Sequence, residues 1–323
     1  MQNYFYLSQS TDGWKNLACD EWLLDNLGED ELMLHCYINQ NAVIIGRNQN
    51  PWKECNLLAM ETDGVQLVRR VTGGGAVYHD GGNLNFSFIA GQGRYDVEKQ
   101  LGMILQAIRT LDIPCEFTGR NDLLADGRKF SGNAFCRRGN ICQHHGTLLV
   151  HADMGRLQKY LQVDARKLHA KGVESVRSRV CNLAELRPGL TVPMVLGSLK
   201  QAFRKTYGDY VEWAPNEADQ AQIRPYEERH SSWEWRMGRT PQFDLELDHR
   251  FSWGEIQLLL TLREGRVARA DVYSDALDAE LPALLQGLLE GAPLSADALA
   301  DALACSENPQ VQDIAAWLRT ESV

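Results

Sequence analysis

Arg69-Arg70-Val71-Thr72-Gly73-Gly74-Gly75-Ala76-Val77-Tyr78-His79-Asp80 is the stretch on which the reading of this chain turns. Two guanidinium groups precede three consecutive glycines, and a His-Asp pair follows them. Glycine has no Cβ, so backbone N–H groups there can approach a ligand closely and adopt φ > 0. Such a turn forms a concavity of donors suited to phosphate or carboxylate oxygens, and arginine sets permanent, bidentate charge beside it. Three glycines also suit a plain tight turn. The flanks weigh against that alone: Val65, Leu67 and Val68 before the loop, and Leu84, Phe86, Phe88 and Ile89 after it, alternate like strands. The run is neither GxxxxGK[ST] nor a GxGxxG opening a helix. The expectation is an anion-binding loop between strands, belonging to a less common nucleotide-binding architecture.

The rest of the chain bounds what such a loop could serve. At 323 residues, 44% apolar and 24% charged, it reads as an ordinary globular protein of one large domain or two unequal ones. No apolar run approaches the ~20 residues that cross a bilayer, and Met1-Gln2-Asn3-Tyr4-Phe5 lacks the basic start of a signal peptide. Cytoplasmic residence without a membrane partner is the expectation. A net charge of −10 opposes broad nucleic-acid binding. Basic islands at 69–70, 128–129, 137–138, 166–171 and 177–179 instead suit local anionic ligands. The eight cysteines form no CxxC pair and read as reduced, mostly buried thiols. Cys136 and Cys142, with His144 and His145, do not have a zinc spacing.

Along the chain, Leu17 to Leu27 reads as a helix, and Leu32 to Ile38 with Ala42 to Gly46 as a hairpin around Asn39-Gln40-Asn41. Leu101, Ile104, Leu105, Ile108 and Leu111 share one helical face that stops before Pro114. Strand-like segments follow at Asn121 to Leu124, Lys129 to Phe135 and Gly146 to Val150, then helical ones at 156–161 and 194–206. There is no regular βαβα alternation, so an α+β fold with a mixed sheet and flanking helices is expected. The stretch 213–242 has no clear period and reads as a connecting arm on the surface. From Phe243, three strand-like runs (243–249, 255–262, 266–273) precede helices carrying Leu281, Leu284, Leu285 and Leu288, then Leu299, Leu303, Ile314 and Leu318. This is a small α+β module of its own. The expected division is a large domain at 1–246 and a small one at 247–323.

A second constellation runs from Gly119-Arg120-Asn121-Asp122-Leu123 through Arg128-Lys129-Phe130-Ser131-Gly132-Asn133-Ala134 to His144-His145-Gly146-Thr147-Leu148. Lys129, between glycines at 127 and 132, offers a compact positive charge where backbone can crowd a ligand. Asn121 and Asp122 suit a ribose, a phosphate or Mg²⁺, though short polar residues after glycine are also turn formers. If 144–145 is a strand, the two histidines point to opposite faces and at most one faces a site, a satisfied core or edge histidine being the commoner outcome for either. Ser131 lacks a GxSxG setting, and no cysteine sits in a recognisable low-pKa environment. The chemistry that fits is electrostatic positioning of an acid and a nucleotide.

These residues together resemble the lipoate–protein ligase A family, within the biotin/lipoate ligases. The resemblance rests on the 69–80 run with Gly82-Asn83, on Gly46-Arg47-Asn48-Gln49-Asn50-Pro51-Trp52-Lys53-Glu54-Cys55-Asn56, and on the second constellation. Lys171-Gly172-Val173-Glu174-Ser175-Val176-Arg177-Ser178-Arg179-Val180 and Ser231-Ser232-Trp233-Glu234-Trp235 extend it over nearly the whole chain. It implies a large catalytic domain with a small C-terminal accessory domain. It also implies ATP-dependent activation of lipoate to lipoyl-AMP, then transfer to a lysine of lipoyl domains in 2-oxoacid dehydrogenase E2 proteins and glycine cleavage H protein. ATP, Mg²⁺ and lipoate would be substrates, without a permanently bound metal. By position, Lys129 would contact the lipoyl carbonyl and α-phosphate. Arg70 and the loop Gly73, Gly74, Gly75, Ala76, Val77, Tyr78 and His79 would bind substrate and nucleotide. Asn83, Asn121, Asp122, Ser131, Ala134 and His145 would line the adenylate pocket, with Asp122 the candidate Mg²⁺ ligand. Arg177 and Ser178 would belong to a loop closing over the adenylate. Val71-Thr72 stands where Ser-Ser or Ser-Thr is common in the family, and Asn133 where a small Ser is frequent. An ATP-independent octanoyl or lipoyl transferase of the same fold, and a non-catalytic lipoate or nucleotide carrier, are the competing readings.

Overall fold

The computed structural model describes residues 1–118, 121–161, 180–238 and 243–321. They form two compact units: Met1–Ile44, Cys55–Arg69 and Val77–Arg236 make the first, and Ile45–Glu54, Arg70–Ala76 and Met237–Val323 the second. The expected division at 246/247 would cut through a strand, Leu245–Phe251, and the second unit also takes in two N-terminal segments. One of those segments is the glycine loop.

The first unit is built on a mixed sheet. Its order is β11 (Val211–Glu212), β1 (Gln2–Leu7), β2 (Glu31–Tyr37), β6 (Asn83–Gly91), β10 (Ile141–Leu149), β9 (Arg128–Arg138), β8 (Asp122–Ala125), β7 (Glu116–Thr118). β1 runs parallel to β2 and β11, and the other pairs are antiparallel. One face is apolar: Leu32, Leu34, Leu84, Phe86, Phe88 and Phe130 pack with helices α4 (Val97–Arg109) and α7 (Val192–Tyr207). α4 forms because Asp96 caps it by accepting from Lys99 N–H, and because Leu101, Ile104, Leu105 and Ile108 keep one stripe to bury.

A small sheet, β4 (Gln66–Arg69), β3 (Ala42–Ile45), β5 (Val77–His79), packs with α1 (Gly13–Asn26) through Leu17, Ala42, Ile44 and Val68. β2 and β3 therefore do not form the expected hairpin. β2 already has β1 and β6 on its two sides, and Asn41 turns the chain out of the large sheet at φ +53°. β4 and β5 lie on opposite sides of β3, so the glycine loop is a crossover and not a hairpin turn. Short helices α2 (Pro51–Glu54) and α3 (Leu57–Thr62), with α5 (Met154–Tyr160) and α6 (Leu183–Leu186), complete the connections.

The aperiodic arm is also revised. Glu217–Ser231 is a helix, α8, started by a capping box of Asn216 and Asp219 and followed by α9 (Trp233–Met237). Only Ile223 and His230 of α8 are buried, so no apolar period marks it.

In the second unit, β12 (Leu245–Phe251), β13 (Gly254–Arg263) and β14 (Arg266–Ser274) form an antiparallel meander under α10 (Leu281–Leu289), α11 (Ala296–Leu303) and α12 (Pro309–Leu318). Its own core joins Leu258 and Leu260 to Leu285, Leu299, Leu303 and Ile314. The C-terminal strands and helices match the expectation closely.

Candidate functional site

Strand alternation gives the large sheet a second, polar face. Residues directly opposite on neighbouring strands share a face, which aligns His35, Ser87, His145 and Ala134 in one row. Tyr37, Asn85 and Thr147 form the next row. Helix α1 reaches this face with Asp20, whose Oδ1 lies 2.7 Å from His35 Nδ1 and whose Oδ2 accepts from Tyr37 Oη at 3.2 Å. His145 Nδ1 stands 3.7 Å from the same carboxylate. Burial alone would raise the Asp20 pKa. The two imidazoles beside it, His145 and His35, outweigh that and hold the carboxyl at about 2.

Lys129 sits at the β8–β9 end of this face. Its Nζ is 2.7 Å from Asp122 Oδ1, each side chain a little over a third exposed. Asp122 is directly opposite Gly132, and a Cβ on Gly132 would come within 2.9 Å of Lys129 Nζ. The glycine thus leaves the room in which the ammonium rests. The backbone of Lys129 is fixed too: its carbonyl accepts from Cys181 N–H at 2.9 Å, and Val180 bridges it. Val180 directly follows the undescribed residues 162–179, which include Arg177 and Ser178; those two expectations lie outside the described residues, as do Gly119 and Arg120.

Asn83 is fully buried, donates to Asn85 Oδ1 at 2.9 Å, and leaves its own Oδ1 without a partner among the described residues. A buried amide oxygen in that state is costly unless water or a ligand meets it. Asn121 is turned to the backbone instead: its side chain donates to Asn133 O, and Asn133 Nδ2 donates back to Asn121 O. Ser131 and Asn133 face the apolar side with Leu123, and Ser131 is fully buried.

The two adjacent histidines do part company across the strand. His144 lies on the apolar face between Phe86, Phe88 and Phe135. Burial pushes its pKa down to about 3. The neutral ring has Gln100 Oε1 at 2.8 Å from Nδ1 and Asn133 Oδ1 at 2.9 Å from Nε2. One neutral imidazole cannot donate to both. Gln100 Nε2 lacks a partner among the described residues, so turning that amide over supplies the donor that Nδ1 needs.

His79 and Tyr78 lie in the small sheet. His79 Nδ1 faces Asn39 Nδ2 at 3.1 Å, while Tyr78 Oη donates to Asn41 Oδ1 and accepts from Arg156. In the second unit, Arg70 braces its own loop: Nε donates to Thr72 Oγ1 at 3.1 Å, and Nη2 to Gly73 O and Gly75 O at 2.7 and 2.8 Å. Gly74, at φ +91°, donates its N–H to Ala276 O, and a Cβ on Gly73 would meet Ala276 O at 2.4 Å. Two of the three glycines are thus required by the packing of the loop itself. Among the described residues a Cβ on Gly75 would meet nothing within 4 Å, so the loop is open at that position.

Lys129, Asp122, Ala134, His145 and Asn83 are therefore brought to one face, with Asp20 and His35 added to them. A motif reading missed the last two because an acid inside an apolar helix resembles a solvated position. The available signal was Asp20-Glu21 amid the run Leu17–Leu24, which is buried throughout. All eight cysteines are free; the Cys181 thiol, beside Lys129, is fully buried and pushed up to about 11 by burial. Among the described residues, no group of three or more His, Cys, Asp or Glu could hold a metal ion, and no helix is long and apolar enough to cross a membrane.

Residues 12–204 match the lipoyl protein ligase A/B catalytic domain, and residues 240–318 the bacterial lipoate protein ligase C-terminus. P. falciparum LipL1, solved in complex with lipoate, is 27% identical over 99% of this chain and 100% of its own, with a TM-score of 0.88. A bipartite lipoate protein ligase from Thermoplasma acidophilum, studied with its E2 lipoyl domain, is 28% identical over 76% of this chain and 100% of its own, at 0.67. A lipoate-protein ligase A bound with ATP is 28% identical over 74% and 99%, at 0.64. With the catalytic-domain match spanning more than half of its length and the C-terminal match following, this chain belongs to the lipoate–protein ligase family.

Proposed function

We propose that the chain is an ATP-dependent lipoate–protein ligase working through lipoyl-AMP. The observation that carries this is Lys129: a cation tethered by Asp122 over a glycine, on the sheet face that also carries Asn83, His145 and Asp20. A lipoate carboxylate oxygen would attack the α-phosphorus of ATP, the bond to the β-phosphate would break, and pyrophosphate would leave. A neutral acceptor lysine would then attack the acyl carbonyl and AMP would leave. Both steps build negative charge on oxygens, and an ammonium fixed in place stabilises that charge without reorganising. Asn83 Oδ1 would take a donor from the nucleotide. Similarity to ligases solved with ATP and with lipoate supports the same substrates here.

Asp122 by itself, already paired with Lys129, does not fit a resident Mg²⁺ site. Mg²⁺ belongs in this reading with the nucleotide, and no step is assigned to a protein-held metal. Lipoyl domains of E2 and H proteins are the acceptors we propose, in the cytoplasm. An ATP-independent transfer through a cysteine finds little support at Cys181, whose thiol is disfavoured as a thiolate by burial. The test is ATP–pyrophosphate exchange with lipoate, octanoate and biotin. Lipoate-dependent exchange is expected; acyl transfer from a carrier protein without exchange would sink the reading.

A further inference from the structure

Ser231-Ser232-Trp233-Glu234-Trp235 has no part in the chemistry above, yet it folds against the residue from which the glycine loop departs. Trp235 N–H donates to Ser232 Oγ at 3.2 Å, starting the short helix α9. Its other end is capped from a distant part of the chain. Arg69 Nε donates to Trp235 O, and Arg69 Nη2 to Arg236 O, both at 2.8 Å. In return the indole Nε1–H of Trp235 donates to Arg69 O at 2.9 Å. Arg69 is 6% exposed. Carbonyls at a helix C-terminus are a natural seat for a buried guanidinium. The Arg229 guanidinium lies 4.3 Å over the Trp235 ring, and His230 meets the ring at 5.6 Å.

The first unit ends one of its segments at Arg69 and another at Arg236. The reciprocal bonds therefore staple together two places where the chain leaves that unit. One peptide bond beyond Arg69 is Arg70, whose guanidinium holds Gly73 O and Gly75 O. We propose that Trp235 and Arg69 are positioning residues for the glycine loop, fixing the point from which Arg70 braces it. This deepens the ligase reading and rests on it for its kinetic consequence.

Trp235→Phe keeps an aromatic ring but removes the indole donor, along with part of the ring's packing; Arg69→Lys keeps the charge and removes the paired cap. Hydrogen exchange of the 70–76 amides and pyrophosphate-exchange kinetics are measured on the full chain for both variants and their double. In Trp235→Phe, exchange at 70–76 should quicken about tenfold, the equivalent of one lost hydrogen bond, with β6 and β10 unchanged. KM for lipoate should rise by a similar factor while kcat holds, and the double variant should be no worse than the poorer single. Unchanged protection at 70–76 in both singles, or equal loosening of β6 and β10, would overturn the assignment. If the wild-type chain shows no lipoate-dependent exchange, the ligase reading fails, and the hydrogen-exchange comparison still decides the staple.

Discussion

Lys129 Nζ lies 2.7 Å from Asp122 Oδ1, across a strand pair in which the residue opposite Asp122 is a glycine. The pair is partly open to solvent, so its contribution to stability is small; its use is to hold a charge in one place. Lys129→Ala should lower lipoate-dependent pyrophosphate exchange by at least ~100-fold, the usual loss of one group that stabilises a developing oxyanion. Asp122→Asn retains the ammonium and loosens its tether, for a loss of about tenfold. Exchange assays on both variants check the order. A Lys129→Ala protein turning over at the wild-type rate would remove Lys129 from the chemistry.

The three loop glycines should respond differently to alanine. At Gly74 the left-handed φ of +91° and Arg70 Nη2 at 2.9 Å oppose a Cβ, and at Gly73 the carbonyls of Ala276 and Leu277 do. Each substitution should cost about 1–2 kcal/mol or more. Gly75→Ala meets no atom of the described residues within 4 Å and should leave stability within ~0.5 kcal/mol. If Gly75 is where the loop opens to a ligand, the same variant should still raise KM. Thermal melts beside kinetics separate the two effects; a Gly75→Ala protein melting as low as Gly73→Ala would contradict this account of the loop.

How far the sequence could be read follows from what each residue answers to. Lys129 stood out because glycines flank it, and the C-terminal strands and helices because their apolar periods are strong. Helix α8 was not legible: its buried residues are few, and it is held by polar contacts, with Arg229 and His230 on Glu21 and Tyr226 on Asp25. The β2–β3 hairpin was a reasonable local reading overridden by pairing, since β6 arrives from 46 residues beyond Tyr37 to take the place beside β2. Arg70 illustrates a third limit. Its charge beside glycines suggests a ligand, but its guanidinium donates to carbonyls of its own loop, a choice that only the folded backbone can reveal.

Glu21 provides a stability test of the helix that sequence periodicity did not show. Its carboxylate is 1% exposed and receives Arg138 Nη2 at 2.9 Å, His230 Nε2 at 2.8 Å, and the Arg229 guanidinium. Glu21→Gln keeps the shape and removes the charge that both guanidiniums answer. Breaking a wholly buried pair costs ~3–5 kcal/mol. Both arginines here reach solvent, so the expected loss is about 2 kcal/mol. Denaturant titration reads it directly, and an unchanged midpoint would show that α8 is held by other contacts.

Acid should unfold the first unit through its buried histidines before its carboxylates matter. Burial holds His144 and His230 neutral, with pKa values near 3 against an ordinary 6.5. A lowered pKa means that the unfolded chain binds the proton first. Between about pH 6.5 and 3 the unfolded state is therefore favoured as pH falls, by ~1.4 kcal/mol per pH unit for each histidine. Asp20 acts in the same direction but later: its pKa of about 2 lies below the ordinary 3.8, so its contribution is intact above pH ~4 and lost below. Urea midpoints should thus decline steadily from pH 7 to pH 5, where carboxylates alone would leave them level. His144→Gln should remove about half of that slope, since His230 continues to titrate. Equal midpoints at pH 7 and pH 5 would mean that these rings already carry protons in the folded chain.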